Sequence, residues 1–537
     1  APQVIPQIGG NYTEAEARQE ASRCLECQCD FCRTYCDLTD FYNKWPLRIR
    51  DEIMATTLPG SADVKATPAK RLLSTCNQCG LCKEVCPEEI DLGGLILEGR
   101  KSMHSQKKAP WVFHDFWLRD MDFANSPLAS LTEAACEPGT DSGSDKYAFF
   151  PGCQLGASDP ELVLKSYEYL RSKRPEMGLM LRCCGAPAEW SGDEEKFSNE
   201  LDTIRSMWAE LGEPTLILAC PTCEKKFKTY LEEMPVISLY EIIARWGLPE
   251  MPEGNAAGQL SEPAPAEAEE GLAGRQHKKL YSVFDACAAR HEAGMKKAVR
   301  TLAEAAGCRL EPLTENEAHG RCCSFGGQPG IANPKFAEFV VQKRIEEGDY
   351  PYITYCINCR DVFSQAGKDA VHILDLLLGA GKAPDRLPTV SERRENRLWL
   401  KQELLKKYWS QKSEEDRFWN QGTAEDRLEK LPEVSISEEL AEKLNREKIL
   451  EEDTIRTIVF CECTGRRVYH PDKETYSGYH QIGYTTYWVE YRCLAENGGQ
   501  TEAADGEMRY ELVNAYAHHM KIELEAVWNG RKIDPDL

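Results

Sequence analysis

Ten of the chain's 24 cysteines fall into two copies of one pattern, a lone Cys, a Cys-Cys pair and then Cys-x-x-Cys. The first copy is Cys153, Cys183-Cys184 and Cys220/Cys223, and the second is Cys287, Cys322-Cys323 and Cys356/Cys359, with corresponding positions offset by 134 to 139 residues. Adjacent thiolates brought together with three distant ones give five sulfurs at one point, more than a tetrahedral zinc or an ordinary four-ligand cubane cluster uses. The pattern points to an unusual iron–sulfur site, used twice.

A disulfide framework is the plain alternative for so many cysteines, and size argues against it. Such frameworks belong to small secreted domains without an adequate core, whereas 537 residues can build several cores. No positively charged apolar leader is visible and no apolar run reaches the roughly 20 residues needed to span a bilayer, so a soluble, cytoplasmic protein is expected. With 65 Lys and Arg against 88 Asp and Glu, a net charge of −23, nucleic acid and anionic membrane surfaces are disfavoured as partners.

Composition divides the chain into several domains. Residues 1–105 hold nine cysteines and an amphipathic, helix-compatible stretch from Trp45 to Met54. Segments 145–248 and 279–380 carry one copy of the repeat each. Residues 249–278, rich in Pro, Ala, Glu and Gly, read as a linker. From 392 to 537 a charged, helix-friendly stretch (Arg397 to Trp409, then Ile436 to Leu450) leads into a module with a strand-like run, Tyr484 to Tyr491. The expected fold is multidomain: an α-helical dicluster ferredoxin domain, two repeated α/β cysteine-rich domains and a small α+β C-terminal module.

In the repeats, the apolar runs Tyr147–Phe150, Thr215–Leu218, Leu280–Phe284 and Tyr352–Tyr355 each lead directly towards a cysteine, and helix-compatible segments Glu194–Leu211 and Lys335–Glu347 follow the pairs. Strand, cysteine-rich turn, helix is an α/β arrangement, in which ligands collect beyond the carboxyl ends of the strands. Gly152, Gly185, Gly326 and Gly327 fit tight turns and close backbone approach there.

Phe149-Phe150-Pro151-Gly152-Cys153, Cys183-Cys184-Gly185 and Cys220-Pro221-Thr222-Cys223 resemble the cysteine-rich repeat of heterodisulfide reductase catalytic subunits. The resemblance implies a noncubane [4Fe-4S] cluster on each five-cysteine set, the two facing each other across the place where a disulfide is split. The second copy departs from the family in Cys322-Cys323-Ser324, where glycine is usual after the pair, and in Asp285-Ala286-Cys287-Ala288. Related subunits of lactate, glycolate and succinate oxidoreductases often keep one complete set, so two sets favour the disulfide-active type.

In the N-terminal region Cys76-x2-Cys79-x2-Cys82-x3-Cys86-Pro87 matches the bacterial ferredoxin run, whose fourth Cys ligates the other cluster. One cubane [4Fe-4S] cluster is therefore assigned to Cys24, Cys27, Cys32 and Cys86, and a second to Cys36, Cys76, Cys79 and Cys82. Cys29 can replace Cys27 or Cys32 in this scheme, and zinc knuckles are the alternative metal reading. The lead-in Tyr12 to Ala21 with Arg23-Cys24-Leu25-Glu26-Cys27 resembles that of the glutamate synthase small subunit, where it adjoins a flavin and pyridine-nucleotide module. No Gly-x-Gly-x-x-Gly after a strand marks such a module here, so no flavin is expected in this chain and a flavoprotein partner is.

The C-terminal module, through Thr464 to Tyr469, Tyr484 to Tyr491 and Asn514 to Met520, resembles the tail of fused pyridine-nucleotide-disulfide oxidoreductase and dicluster-binding proteins. Its Cys461, Cys463, Cys493, His470, His480, His518 and His519 are irregularly spaced for a metal, which favours a structural or partner-binding role. Cys136 and Cys308 read as ordinary small residues. Two functions fit: a subunit moving electrons between a flavoprotein and a disulfide or dithiol at the two noncubane clusters, or a non-catalytic conduit and scaffold in a larger, flavin-bifurcating redox complex. No proton donor is marked, although His291 lies near Cys287 in sequence.

Overall fold

The computed structural model describes residues 12–22, 31–58, 67–134, 146–249, 279–315, 317–379, 384–410, 432–494 and 509–518. Cys24, Cys27, Cys29, Cys136 and His519, and all but the first residue of the expected linker, lie outside them. Among the described residues no helix is long and apolar enough to cross a membrane.

Short helices make up the N-terminal module, including Phe31–Tyr35, Asp37–Phe41, Pro46–Thr57, Leu81–Glu84 and Leu92–Ser105. Pro46 opens its helix at the first turn, where a missing N–H costs nothing, and the helix turns Ile49 and Ile53 inward. They pack with Leu72, Leu73, Ile96 and Met103 into a core that also takes Phe336 and Val340 from the helix Pro334–Ile345 of the second repeat. The N-terminal module is therefore built onto that repeat.

Each repeat is a parallel sheet with the same strand order. In the first, β2 (Tyr147–Phe150), β3 (Gly178–Leu181), β4 (Thr215–Leu218) and β5 (Val236–Ser238) run β3-β2-β4-β5. In the second, β6 (Leu280–Val283), β7 (Arg309–Leu310), β8 (Tyr352–Thr354) and β9 (Ala370–His372) run β7-β6-β8-β9. An extra strand, β1 (Leu131–Glu133), pairs antiparallel with β3. Its three residues carry no periodic signal, and with the helix Asp115–Asn125 it fills the stretch between the two domains expected at 1–105 and 145–248. One continuous apolar core crosses both repeats, with the helix Leu239–Trp246 of the first packed on Ala293–Ala305 of the second.

The strand runs end one residue earlier than expected at Val283 and Thr354. The helix expected at Arg397–Trp409 starts at Val390 and runs to Tyr408, because Thr389 caps it with Glu392 in a reciprocal box. Beyond it, β10 (Glu433–Ile436), β11 (Arg467–His470), β12 (Thr475–Ile482), β13 (Thr485–Leu494) and β14 (Arg509–His518) form a sheet ordered β10-β14-β13-β12-β11, antiparallel except for β10 beside β14. Helices Glu438–Glu447 and Glu451–Thr464 supply Leu440, Leu444, Ile458 and Cys461 to a core with Tyr487, Val489, Tyr491 and Leu512 of the sheet. The helix Asp115–Asn125 clamps this module: Arg119 donates to both carboxylate oxygens of Asp453, at 2.7 and 2.9 Å, and to the Tyr487 hydroxyl.

Candidate iron–sulfur centres

The carboxyl ends of β2, β3 and β4 deliver Cys153, Cys183-Cys184 and Cys220 within a few residues of each strand. In the second repeat β6 and β8 deliver Cys287 and Cys356 likewise, whereas Cys322-Cys323 follows β7 only after a longer loop. Cys220 and Cys356 occupy the N-cap positions of helices Pro221–Tyr230 and Ile357–Gln365, so the positive ends of both helices meet Cys-x-x-Cys. Gly152 holds φ at +81°, and a Cβ there would come within 3.0 Å of the Cys220 Cβ and 3.3 Å of the Cys223 sulfur.

Both sets connect their sulfurs in the same order. In the second, Cys287 lies 3.8 Å from Cys322 and Cys359 lies 3.2 Å from Cys323, with Cys356 beside Cys359. In the first, Cys153 meets Cys183, and Cys184 meets Cys223, which in turn meets Cys220. The middle sulfur of each chain accepts from thiols on both sides. Thiol hydrogen bonds from Cys183 and Cys223 therefore lower the pKa of Cys184, and those from Cys322 and Cys359 bring Cys323 down to about 6. Cys183, Cys223, Cys322 and Cys359 are raised.

The two sets meet crosswise. The helix Cys153–Ser158, which begins at the lone cysteine of the first repeat, packs on the Cys-x-x-Cys helix Ile357–Gln365 of the second. Conversely, the Cys-x-x-Cys helix Pro221–Tyr230 packs on the turn Cys287–Ala289. Ser158 donates to Asp361 at 2.6 Å, Arg360 donates to Ser158 at 2.9 Å, and Lys228 bridges Glu224 and Glu292 at 2.7 and 2.6 Å.

In the N-terminal module Cys36, Cys76, Cys79 and Cys82 line one pocket, which Cys322 of the second set also borders. Gly80 takes φ +76° to turn the chain between Cys79 and the helix carrying Cys82, and the Gly93 N–H donates to the Cys82 sulfur at 3.3 Å. Burial pushes the Cys76 thiol up to about 11 and those of Cys79 and Cys82 up to about 12. Cys36 is raised by burial and by the charges of Cys82, Cys79 and Cys76. Four thiols that line one pocket and resist ionisation are stabilised as thiolates by a bound cation, and four thiols are donors of the kind an iron–sulfur group takes. Cys32 and Cys86, both half-buried, are the described members of the other expected set, and Cys24 and Cys27 lie outside the described residues.

Cations surround the sulfurs although the protein is strongly acidic. Arg100, 1% exposed, donates to the carbonyls of Leu73, Cys76, Trp190 and Gly327, tying the N-terminal module to both repeats. Arg290 donates to the Cys79 carbonyl at 3.4 Å, and its charge acts on Cys79 and Cys287 together. Lys226 pairs with Glu189 beside Cys184, and Arg397 donates to the Cys153 carbonyl while making two bonds to Asp120 at 2.6 and 2.8 Å. Sequence reasoning missed all four, because their partners are backbone oxygens or acids far away in the chain.

His291 is 73% exposed and lies 3.4 Å from Glu84, a surface position. In the C-terminal module Cys461 is buried while Cys463 and Cys493 are exposed, and His480 stacks on Phe460 at 4.0 Å. His470 pairs with Ser477, and His518 packs edge-on to Trp488 and Tyr516. Cys308 is buried in the core shared by the repeats.

Residues 23–91 match the 4Fe-4S dicluster domain family, and residues 147–228 and 281–363 each match the cysteine-rich domain family. A subunit of the CoM/CoB fumarate reductase of Methanothermobacter marburgensis is 22% identical over 321 residues, covering 57% of this chain and 60% of the relative. The chain thus spans somewhat under two thirds of that relative's length. The chain carries a dicluster domain followed by two cysteine-rich domains.

Proposed function

We propose that this chain, with one dicluster and two cysteine-rich domains, is the iron–sulfur subunit of a heterodisulfide-reductase-like oxidoreductase acting between a flavoprotein and a disulfide or dithiol. Cys36, Cys76, Cys79 and Cys82 hold one cubane [4Fe-4S] cluster, and Cys24, Cys27, Cys32 and Cys86 the other. Cys153, Cys183, Cys184, Cys220 and Cys223 hold one noncubane cluster, and Cys287, Cys322, Cys323, Cys356 and Cys359 its counterpart. When bound, these groups supply one-electron redox chemistry.

The chain's own residues position and charge-balance the sites. Arg100, Arg290, Lys226 and Arg397 offset the negative charge of the thiolates in a buried setting where water cannot. The observation that carries the reading is the crosswise packing, in which each lone-cysteine segment lies on the other repeat's Cys-x-x-Cys helix. Cleaving a disulfide requires both sulfurs, about 2 Å apart, to be served from one interface. Exposed His291 sits at the surface beside Glu84 and is given no proton-transfer role.

A flavoprotein partner is supported by the lead-in from Tyr12 to Cys27, which resembles one that adjoins a flavin module, where this sequence shows no dinucleotide motif. Accordingly, the isolated chain should not reduce a dye with NADH until a flavoprotein is added. A disulfide added to the loaded chain should perturb the EPR signals of the five-cysteine sets. Unperturbed signals from a fully loaded chain would favour the conduit and scaffold role instead.

A further inference from the structure

The two repeats also meet at a buried hydroxyl that belongs to neither cysteine motif. Tyr240 is the second residue of the helix after β5 and is 0% exposed. Its hydroxyl lies 2.7 Å from the Ala219 carbonyl in its own repeat and 2.8 Å from the Tyr355 carbonyl in the other. These are the residues immediately before Cys220 and Cys356. Nε2 of His372 stands 3.5 Å from the same oxygen.

The hydrogens can be placed from the partners. Nδ1 of His372 accepts from the backbone N–H of Leu374, so the neutral ring carries its proton on Nε2, beside both the Tyr240 oxygen and the Tyr355 carbonyl. The hydroxyl proton is then left for the two carbonyls, and one proton cannot serve both fully. The bridge has no twin. Ser238-Leu239-Tyr240 in the first repeat corresponds to His372-Ile373-Leu374 in the second, each starting at the N-cap that follows the last strand, which puts Leu374 at the matching position.

We propose that Tyr240 is a positioning residue that couples the two five-cysteine sets, sharing its hydroxyl proton between the peptide groups before Cys220 and Cys356. This rests on the assignment of clusters to both sets. A donor polarises the carbonyl it reaches, and hydrogen bonding and local charge are among the features by which a protein sets a cluster's potential. The proton moves towards whichever set carries more negative charge, so a change at one set is felt at the other. Burial opposes ionisation of Tyr240, and charge at Cys220 or Cys356 opposes it further, consistent with its lying close to both.

The test is a redox titration of the anaerobically loaded full chain, followed by EPR. Tyr240→Phe should shift both five-cysteine sets to more negative potentials, with iron content unchanged and the N-terminal signals unmoved. Tyr167→Phe removes another fully buried hydroxyl, one that donates to the Met177 carbonyl at 2.8 Å, and should shift neither set. A shift in one set only, or in neither, overturns the proposal. Should Tyr240→Phe lose iron, His372→Ala decides: it keeps the hydroxyl, removes the ring donor and should give a smaller shift of both sets in the same direction, whereas no shift overturns the proposal. A parent chain lacking iron in either set would instead defeat the cluster assignment itself.

Discussion

Ser324 follows the second cysteine pair where Gly185 follows the first, and both adopt left-handed backbone, with φ +77° and +81°. The glycine is there for its conformation, and the serine pays a strain cost that its weak contact to Asn77 at 3.5 Å does not offset. Ser324→Gly should stabilise the chain by about 1 kcal/mol in denaturant unfolding. Gly185→Ala should destabilise it by about 1–3 kcal/mol, since its Cβ would also press to 3.0 Å from Phe197. The departure at Ser324 was visible in the sequence, but the backbone geometry behind it was not. His114 illustrates a residue whose sequence context says nothing. Burial, with the Arg100 charge beside it, lowers its pKa to about 3. Folded His114 therefore stays neutral while the unfolded chain takes up a proton near 6.5, so stability rises with pH between about 3 and 6.5. Going from pH 7 to pH 5 should cost about 2 kcal/mol through this residue, and His114→Leu should remove that part of the slope in unfolding measured at both pH values.

The helix Val390–Tyr408 was legible as a helix because its charged, Leu-containing sequence and capping box are local signals. What it lies against was not. Arg393 reaches Asp361 and Gln154, Asn396 the Ala157 carbonyl, Arg397 Asp120 and the Cys153 carbonyl, and Lys401 the Pro127 carbonyl. It straps the lone-cysteine helix of the first repeat. Burial alone would raise the Asp120 carboxyl, and Arg397 overrides that, holding it near 2. Arg397→Leu leaves Asp120 buried without its ion-pair partner, with the Gln154 amide still donating to it, which should cost about 3 kcal/mol in thermal or denaturant unfolding. Arg397→Lys should lose less, because it keeps the charge but not the two-pronged bond. Four strands of the repeats, β2, β4, β6 and β8, were legible for the opposite reason: each is a short apolar run ending near a cysteine, so pattern and motif coincide. Three-residue β1 had neither.

Three modules and a C-terminal sheet are locked together through contacts between residues far apart in the chain, which composition cannot reveal. The cysteine repeat marked two equivalent units, but not that they share one core or that the N-terminal module shares another with the second unit. The assignment of four [4Fe-4S] clusters implies about 16 iron atoms per anaerobically loaded chain. Changing both Cys183 and Cys184 to Ser should remove about four of them and leave the N-terminal signals intact. Most direct is diffraction from anaerobic crystals of the loaded chain, with anomalous scattering recorded at the iron edge. Two iron groups facing each other across the crosswise interface of the repeats, each bound by five cysteines, is the result expected. Sulfur-rich edges that point apart, or a second set holding zinc or nothing, would contradict it.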